Sequence, residues 1–166
     1  MHRRVLPIAL AAPAVAVAVA VAGCGGGSGY NTAAAAKPAP TSAAQPAASI
    51  GTRHTPVGTI LVDAQGRTLY LFEHDKGTTS SCYDACAAAW PPVTTGADAK
   101  AAGAAKAGKL GTSKRTDGTS IVTYGGHPLY TYSGDAAPGD TNGQGLDQFG
   151  AEWYVVAPGG DKIDED

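Results

Sequence analysis

Basic charge, bulky aromatic side chains and cysteine are all scarce in this 166-residue chain, and each scarcity removes a class of function. Twelve Lys and Arg against fourteen Asp and Glu leave a formal charge of −2, without the basic footprint that nucleic-acid binding requires. No nucleic-acid partner is expected. Two Phe and two Trp, set against 23 Gly and 11 Pro, cannot fill a core along the whole chain. The folded part must be smaller, roughly 110 residues once the segments described below are set aside, which is an ordinary domain size. The three cysteines include no Cys-x₂-Cys pair and no haem-type Cys-x₂-Cys-His, and no second metal-like cluster accompanies them.

Apolar residues are plentiful in one place. His2-Arg3-Arg4 precedes a charge-free, largely apolar run from Val5 to Ala22, followed by Gly23-Cys24. Pro7 and Pro13 interrupt this run and no basic cluster follows it, so a secretory signal over residues 1–23 fits better than a membrane span. Val21-Ala22-Gly23-Cys24 resembles the lipobox of bacterial lipoproteins. That resemblance implies that Cys24 is acylated and becomes the mature N-terminus, with the protein held on the extracytoplasmic side of the cell membrane. Each buried acyl CH₂ contributes ~0.8 kcal/mol, and several chains make stable anchoring. Residues 24–50 are mostly Gly, Ala and Pro with almost no bulky side chain, so ordering them gains too little to offset the entropy lost. They read as a tether with a reach of roughly 30 Å.

The remainder is organised around a stretch that occurs twice. Leu69-Tyr70-Leu71-Phe72-Glu73-His74-Asp75 is matched by Leu129-Tyr130-Thr131-Tyr132-Ser133-Gly134-Asp135. Upstream, Gly58/Gly118, Thr59/Thr119, Val62/Val122 and Gly66/Gly126 fall at the same offset, the mark of a duplicated supersecondary unit. In the first unit Ile60-Leu61-Val62, a turn over Asp63–Gly66 and a return strand from Thr68 to Phe72 make a β-hairpin. Alternation places Leu69 and Leu71 on one face and Tyr70 and Phe72 on the other, so the strand is expected to be covered on both sides. Tyr70 and Tyr130 would bury their rings while each hydroxyl finds a polar partner. Asp75 and Asp135 read as turn-formers bonding their own backbone. The competing reading has the two carboxylates lining a shared cleft. The second unit repeats the pattern, with Thr116–Gly118 a turn, Thr119–Thr123 a strand, Gly125-Gly126 a two-residue turn and His127–Tyr132 the return.

Between the units lies Ser80-Ser81-Cys82-Tyr83-Asp84-Ala85-Cys86-Ala87-Ala88-Ala89-Trp90-Pro91-Pro92. Ser81 could cap a short helix that runs through Ala89 and ends at the prolines. Cysteines four apart on one helical face have Cα atoms about 6 Å apart, within disulfide range. In an oxidising compartment, with Cys24 lipidated, a Cys82–Cys86 disulfide is the natural pairing. The alternative is chemistry: two thiolates with the imidazole of His74 suit Cu(I), and the pair could instead be redox-active. Residues 97–108 read as an inter-repeat loop whose lysines, with Lys109 and Lys114, form a solvated face. The Gly/Asp/Asn loop Gly134–Asp147 opens like an EF-hand but carries Ala151 at the twelfth position, so calcium is not expected. Trp153–Ala157 reads as a closing strand, and Asp161–Asp166 as a loose acidic tail.

Tyr70-x-Phe72-x-x-Asp75 and Tyr130-x-Tyr132-x-x-Asp135 carry the Tyr-x-(Phe/Trp/Tyr)-x-x-Asp motif, beside Cys82–Pro92 and a Trp153–Gly159 segment. In these residues the chain resembles bacterial lipoproteins of the "secreted repeat of unknown function" family. The resemblance implies no assigned biochemical activity. The fold expected is mainly β, two tandem β-meander repeats (51–96 and 109–160) in one small compact domain with a short helical turn around Cys82–Ala89. No nucleophile–base–orienter set is legible. The function expected is a non-catalytic binding or interaction module, anchored to the membrane by its lipid, with an envelope protein or small ligand as partner and no cofactor. The alternative is an extracytoplasmic copper or thiol-redox protein using Cys82, Cys86 and His74.

Overall fold

Period-two alternation of apolar residues organises the structure. The computed structural model describes residues 45–164; the signal, Cys24 and the tether through residue 44 lie outside the described residues, as do the last two of the tail. The strands are β1 (Ser49–Thr55), β2 (Gly58–Asp63), β3 (Tyr70–Phe72), β4 (Lys100–Ala101), β5 (Leu110–Lys114), β6 (Ser120–Tyr124), β7 (His127–Pro128), β8 (Leu146–Gln148) and β9 (Ala151–Val155). One helix, α1 (Ala85–Ala89), and a 3-10 turn at Ala107–Lys109 complete the elements among the described residues. They form three small sheets, ordered β2-β1-β4, β3-β9-β8 and β5-β6-β7. The protein is mainly β, as the patterning requires.

Successive residues on the buried strands point to two different cores. Ile60, Val62, Tyr70, Phe72, Ile121, Tyr130, Trp153 and Val155 pack together with Cys82, Cys86 and Trp90 on one face. Leu61, Leu69, Leu71, Val122, Leu129, Tyr154 and Val156 pack with Ile50 and Tyr124 on the other. Covered on both sides, these strands can be short and apolar throughout.

Each repeat opens with an antiparallel hairpin, β1–β2 in the first and β5–β6 in the second. The opening strands differ from the sequence reading, which took the tether to residue 50 and began the first unit's strands at Ile60 and the second unit's at Thr119. Their mixed residues explain why: Ile50 and Leu110 are the only bulky aliphatics in β1 and β5, while β1 is mostly half-buried and β5 mostly exposed. The repeat could have located them, since Ile50-Gly51 and Leu110-Gly111 stand at the same sixty-residue offset. The inter-repeat loop also differs, because Lys100 and Ala101 extend the first sheet by pairing parallel to Ser49 and Ile50.

The two repeats are interleaved rather than laid side by side. After its return strand, each repeat sends its final segment into the other. Leu61 donates to Val156 O (2.8 Å) and Val156 to Leu69 O (3.1 Å), so the end of repeat 2 fills the gap between two strands of repeat 1. Reciprocally, Val122 donates to Val93 O (2.8 Å) and Val93 to Leu129 O (2.9 Å). The return strands meet at the centre, where Tyr70 and Tyr130 exchange both backbone hydrogen bonds (2.8 and 3.0 Å). This is pseudo-two-fold symmetry with exchanged strands.

Two further expectations are corrected. Ser81 does not cap α1: the N-cap is Asp84, which makes no side-chain capping bond, and Ser81 instead donates its backbone N–H and its hydroxyl to Asp75 Oδ1 (2.7 and 2.8 Å). The tail is docked through Asp164. Ile163 N–H donates to Val155 O (2.8 Å), Gln144 holds Ile163 O (2.6 Å), and Lys162 pairs with Glu73 and Asp164 (3.1 Å each).

Candidate functional site

The repeated motif builds the centre of the molecule. Because the return strands pair antiparallel at Tyr70 and Tyr130, the side chains of these two tyrosines leave the same face of the ladder. Each phenol then reaches the aspartate of the opposite copy: Tyr70 donates to Asp135 Oδ2 and Tyr130 to Asp75 Oδ2, both at 2.8 Å. The aspartates were expected to serve their own turns, and that is half of what they do. Asp75 Oδ1 accepts from Ser81, and Asp135 Oδ1 from Asn142 N–H (3.0 Å), which closes the loop after each motif. The other carboxylate oxygen in each case ties that loop to the other repeat.

Around these pairs the aromatic residues stack. Trp90 and Trp153, one from each exchanged segment, lie face to face with centroids 4.0 Å apart and planes 5° from parallel. Phe72 stacks on the outer face of Trp153 (4.0 Å) and Tyr132 on that of Trp90 (4.2 Å). Tyr70 meets Trp90 edge-on at 5.3 Å, and Tyr130 meets Trp153 edge-on at 5.2 Å. Every aromatic position of the motif therefore has a symmetric counterpart. The indole N–H groups are satisfied by Gln148, Trp90 Nε1 donating to its Oε1 and Trp153 Nε1 to its backbone O, each at 3.0 Å. Gly143 has to be glycine, since a Cβ there would stand 2.7 Å from Trp90 and 2.9 Å from Tyr70.

The polar network extends further on one side. Tyr130 Oη also contacts Ser80 Oγ (2.8 Å), which accepts from Arg115 Nη1 (2.6 Å). Arg115 is buried, donates Nη2 to Cys82 O (2.9 Å), pairs with Asp117 (3.1 Å) and lies 4.2 Å from the centre of the Tyr83 ring. Ser80 and Arg115 were missed in the sequence because neither lies within the repeated motif, and a lone Arg reads as surface. Among the described residues, every buried side-chain nitrogen and oxygen has a hydrogen-bond partner.

Burial, and secondarily the hydrogen bond to Asp135, pushes the Tyr70 phenol well above its ordinary value; burial and then the charge of Asp75 do the same for Tyr130. Burial also raises Asp135, outweighing the bonds it accepts from Tyr70 and Asn142. Asp117 moves the other way, to about 2, chiefly through the hydroxyl and backbone N–H of Thr119 and then through Arg115. Buried phenols that hold their protons are poor bases and poor nucleophiles.

Cys82 and Cys86 are joined as a disulfide with Cα atoms 5.2 Å apart, both sulfurs in the core beside Trp90. His74 is exposed and tilts against Phe72 at 5.7 Å. Sulfurs bonded to each other offer no thiolate to a metal, and no group of three His, Cys, Asp or Glu converges among the described residues. Neither Asp75 nor Asp135 lines any of the three clefts described on the surface. The largest, about 270 Å³, lies between Pro46–Ser49, Asp63–Arg67 and Pro92–Thr94.

A family described as "secreted repeat of unknown function" matches residues 51–94 and 111–157. The chain belongs to this family. Each matched segment starts in the opening hairpin of a repeat and ends in the segment that crosses into the other, so the family's unit is the exchanged unit seen in the fold. No curated protein and no solved structure matches the chain.

Proposed function

We propose that this member of a secreted family is a non-catalytic interaction module, held on the extracytoplasmic face of the cell membrane by a lipid on Cys24. What carries the reading is where the motif spends its chemistry. The hydroxyls of Tyr70 and Tyr130 and the carboxylates of Asp75 and Asp135 bond to one another across the repeats, and Ser80 and Arg115 complete the set. Groups committed to holding two halves together are scaffolding, and function on such a scaffold belongs to its surface. The disulfide acts here as a staple under Trp90. The extracytoplasmic address draws support from the secreted description of the family and from the Val21–Cys24 resemblance to a lipobox.

Labelling cells that produce the full chain with a radioactive fatty acid tests the anchor. The protein should take up label and sediment with membranes, whereas Cys24→Ala should lose both label and membrane association. A Cys24→Ala protein that stays labelled and membrane-bound would refute the anchor.

A further inference from the structure

The four stacked rings form an unbroken column. Phe72, Trp153, Trp90 and Tyr132 follow one another with centroid separations of 4.0, 4.0 and 4.2 Å. Rings this close and this nearly parallel couple through their π electrons, and indole and phenol rings are among the side chains most easily oxidised by one electron. The two ends of the column differ. Trp90 and Trp153 are fully buried, and Phe72 at one end is a buried phenyl ring that resists oxidation. Tyr132, its counterpart at the other end, is partly exposed. A one-electron oxidant in solution therefore meets an oxidisable ring of the column at Tyr132.

Protons decide where an electron lost from the column is missing longest. An oxidised ring carries a positive charge, which is costly in a buried place unless a proton leaves. The indole N–H groups of Trp90 and Trp153 both donate to amide oxygens of Gln148, which are no bases. The phenols beside the indoles are placed differently. Tyr70 lies edge-on to Trp90 at 5.3 Å and Tyr130 edge-on to Trp153 at 5.2 Å. Each already donates its O–H to a carboxylate, Asp135 or Asp75, at 2.8 Å. Burial holds the Asp135 carboxyl above its ordinary pKa, which makes it a readier proton acceptor.

We propose that this centre is a one-electron redox site: a radical oxidant draws an electron through Tyr132 and the stacked indoles, and the hole settles on Tyr70 or Tyr130. The oxidant gains one electron and the tyrosine loses one. The phenolic proton crosses the existing hydrogen bond, so one O–H bond breaks on the tyrosine and one forms on Asp135 or Asp75. A one-electron donor of the enediol class, ascorbate among them, reverses the step, and the proton returns with the electron. Such chemistry is independent of the interaction-module reading and adds to it.

The test oxidises the full chain, purified in detergent, with azide radicals made by pulse radiolysis and follows tyrosyl radicals by absorbance and freeze-quench electron paramagnetic resonance. Radicals on surface tyrosines meet one another and vanish as dityrosine. A fraction sheltered in the core should outlast them, and ascorbate should discharge it with the protein's mass unchanged. Infrared difference spectra should show a protonated carboxyl group appearing with the long-lived radical. Tyr70→Phe and Tyr130→Phe should each remove part of that radical. Tyr132→Phe, which keeps a stacked ring and the parent's melting temperature, should lose most of it. The absence of a long-lived radical, a yield unchanged in Tyr132→Phe, or a radical without the new carboxyl band would overturn the proposal.

Discussion

Tyr70 and Tyr130 show how a single hydroxyl can join two halves of a molecule. Both rings are fully buried, and each phenol donates to a half-buried carboxylate from the other repeat. Their folded pKa values lie above the ordinary 10.0, so the native state keeps protons that the unfolded chain loses. The stabilisation is therefore complete below about pH 10 and is lost as pH rises beyond it. In an alkaline titration, tyrosinate absorbance from two of the tyrosines should appear only as circular dichroism reports unfolding. Tyr70→Phe should cost about 1–3 kcal/mol in denaturant melts, because Asp135 loses its donor in a partly buried place. Ionisation of all tyrosines near pH 10 with the fold intact would contradict this account. The need for a partner to each hydroxyl was legible in the sequence, since a buried Tyr rarely leaves its O–H unpaired. Which carboxylate it would be was not, because the answer lies some sixty residues away.

At the scale of elements, the Cys82–Cys86 bridge joins α1 to the strand-like chain before it. A loop so short removes little entropy from the unfolded state, and the disulfide should contribute about 2 kcal/mol. Reduction, or Cys82→Ala with Cys86→Ala, should lower Tm by several degrees and leave the mainly-β spectrum in place. An unchanged Tm would mean that the stacked Trp90 alone fixes this turn. Strands rich in β-branched and aromatic residues, such as β2 and β6, were readable from pattern, as was the Gly125-Gly126 turn with φ of 61° and 94°. β1 and β5 were not, since each carries a single bulky aliphatic, Ile50 or Leu110, and so shows no apolar period. Ser81 shows a different failure. A serine ahead of an alanine run has the form of a cap, but Asp75 Oδ1 competes for it and prevails.

For the whole molecule, exchange of the final segments means that neither repeat holds its own core. Segment 92–94 completes the sheet of repeat 2, and segment 153–156 fills repeat 1. A chain divided between Gly103 and Ala104, in an exposed loop, should therefore give two fragments that are each unstructured alone and regain β-structure and tryptophan stacking on mixing. Either fragment folding by itself, as judged by dispersed amide resonances, would argue against interdependence. Reciprocal contacts of this kind are those of a two-fold dimer whose subunits have been joined in one chain. The sequence by itself determined the duplication, the β class and the two-sided burial of the motif strands, and it put the two cysteines within disulfide range. All of these depend on local alternation, spacing or composition. Only the tertiary structure decided that Tyr70 reaches Asp135 rather than its own loop, that Trp90 and Trp153 stack, that Arg115 is buried and that Phe149 is left outside. These are long-range contacts, fixed by which strand edges find each other once the chain collapses, and a pattern read along one strand carries no record of its neighbour.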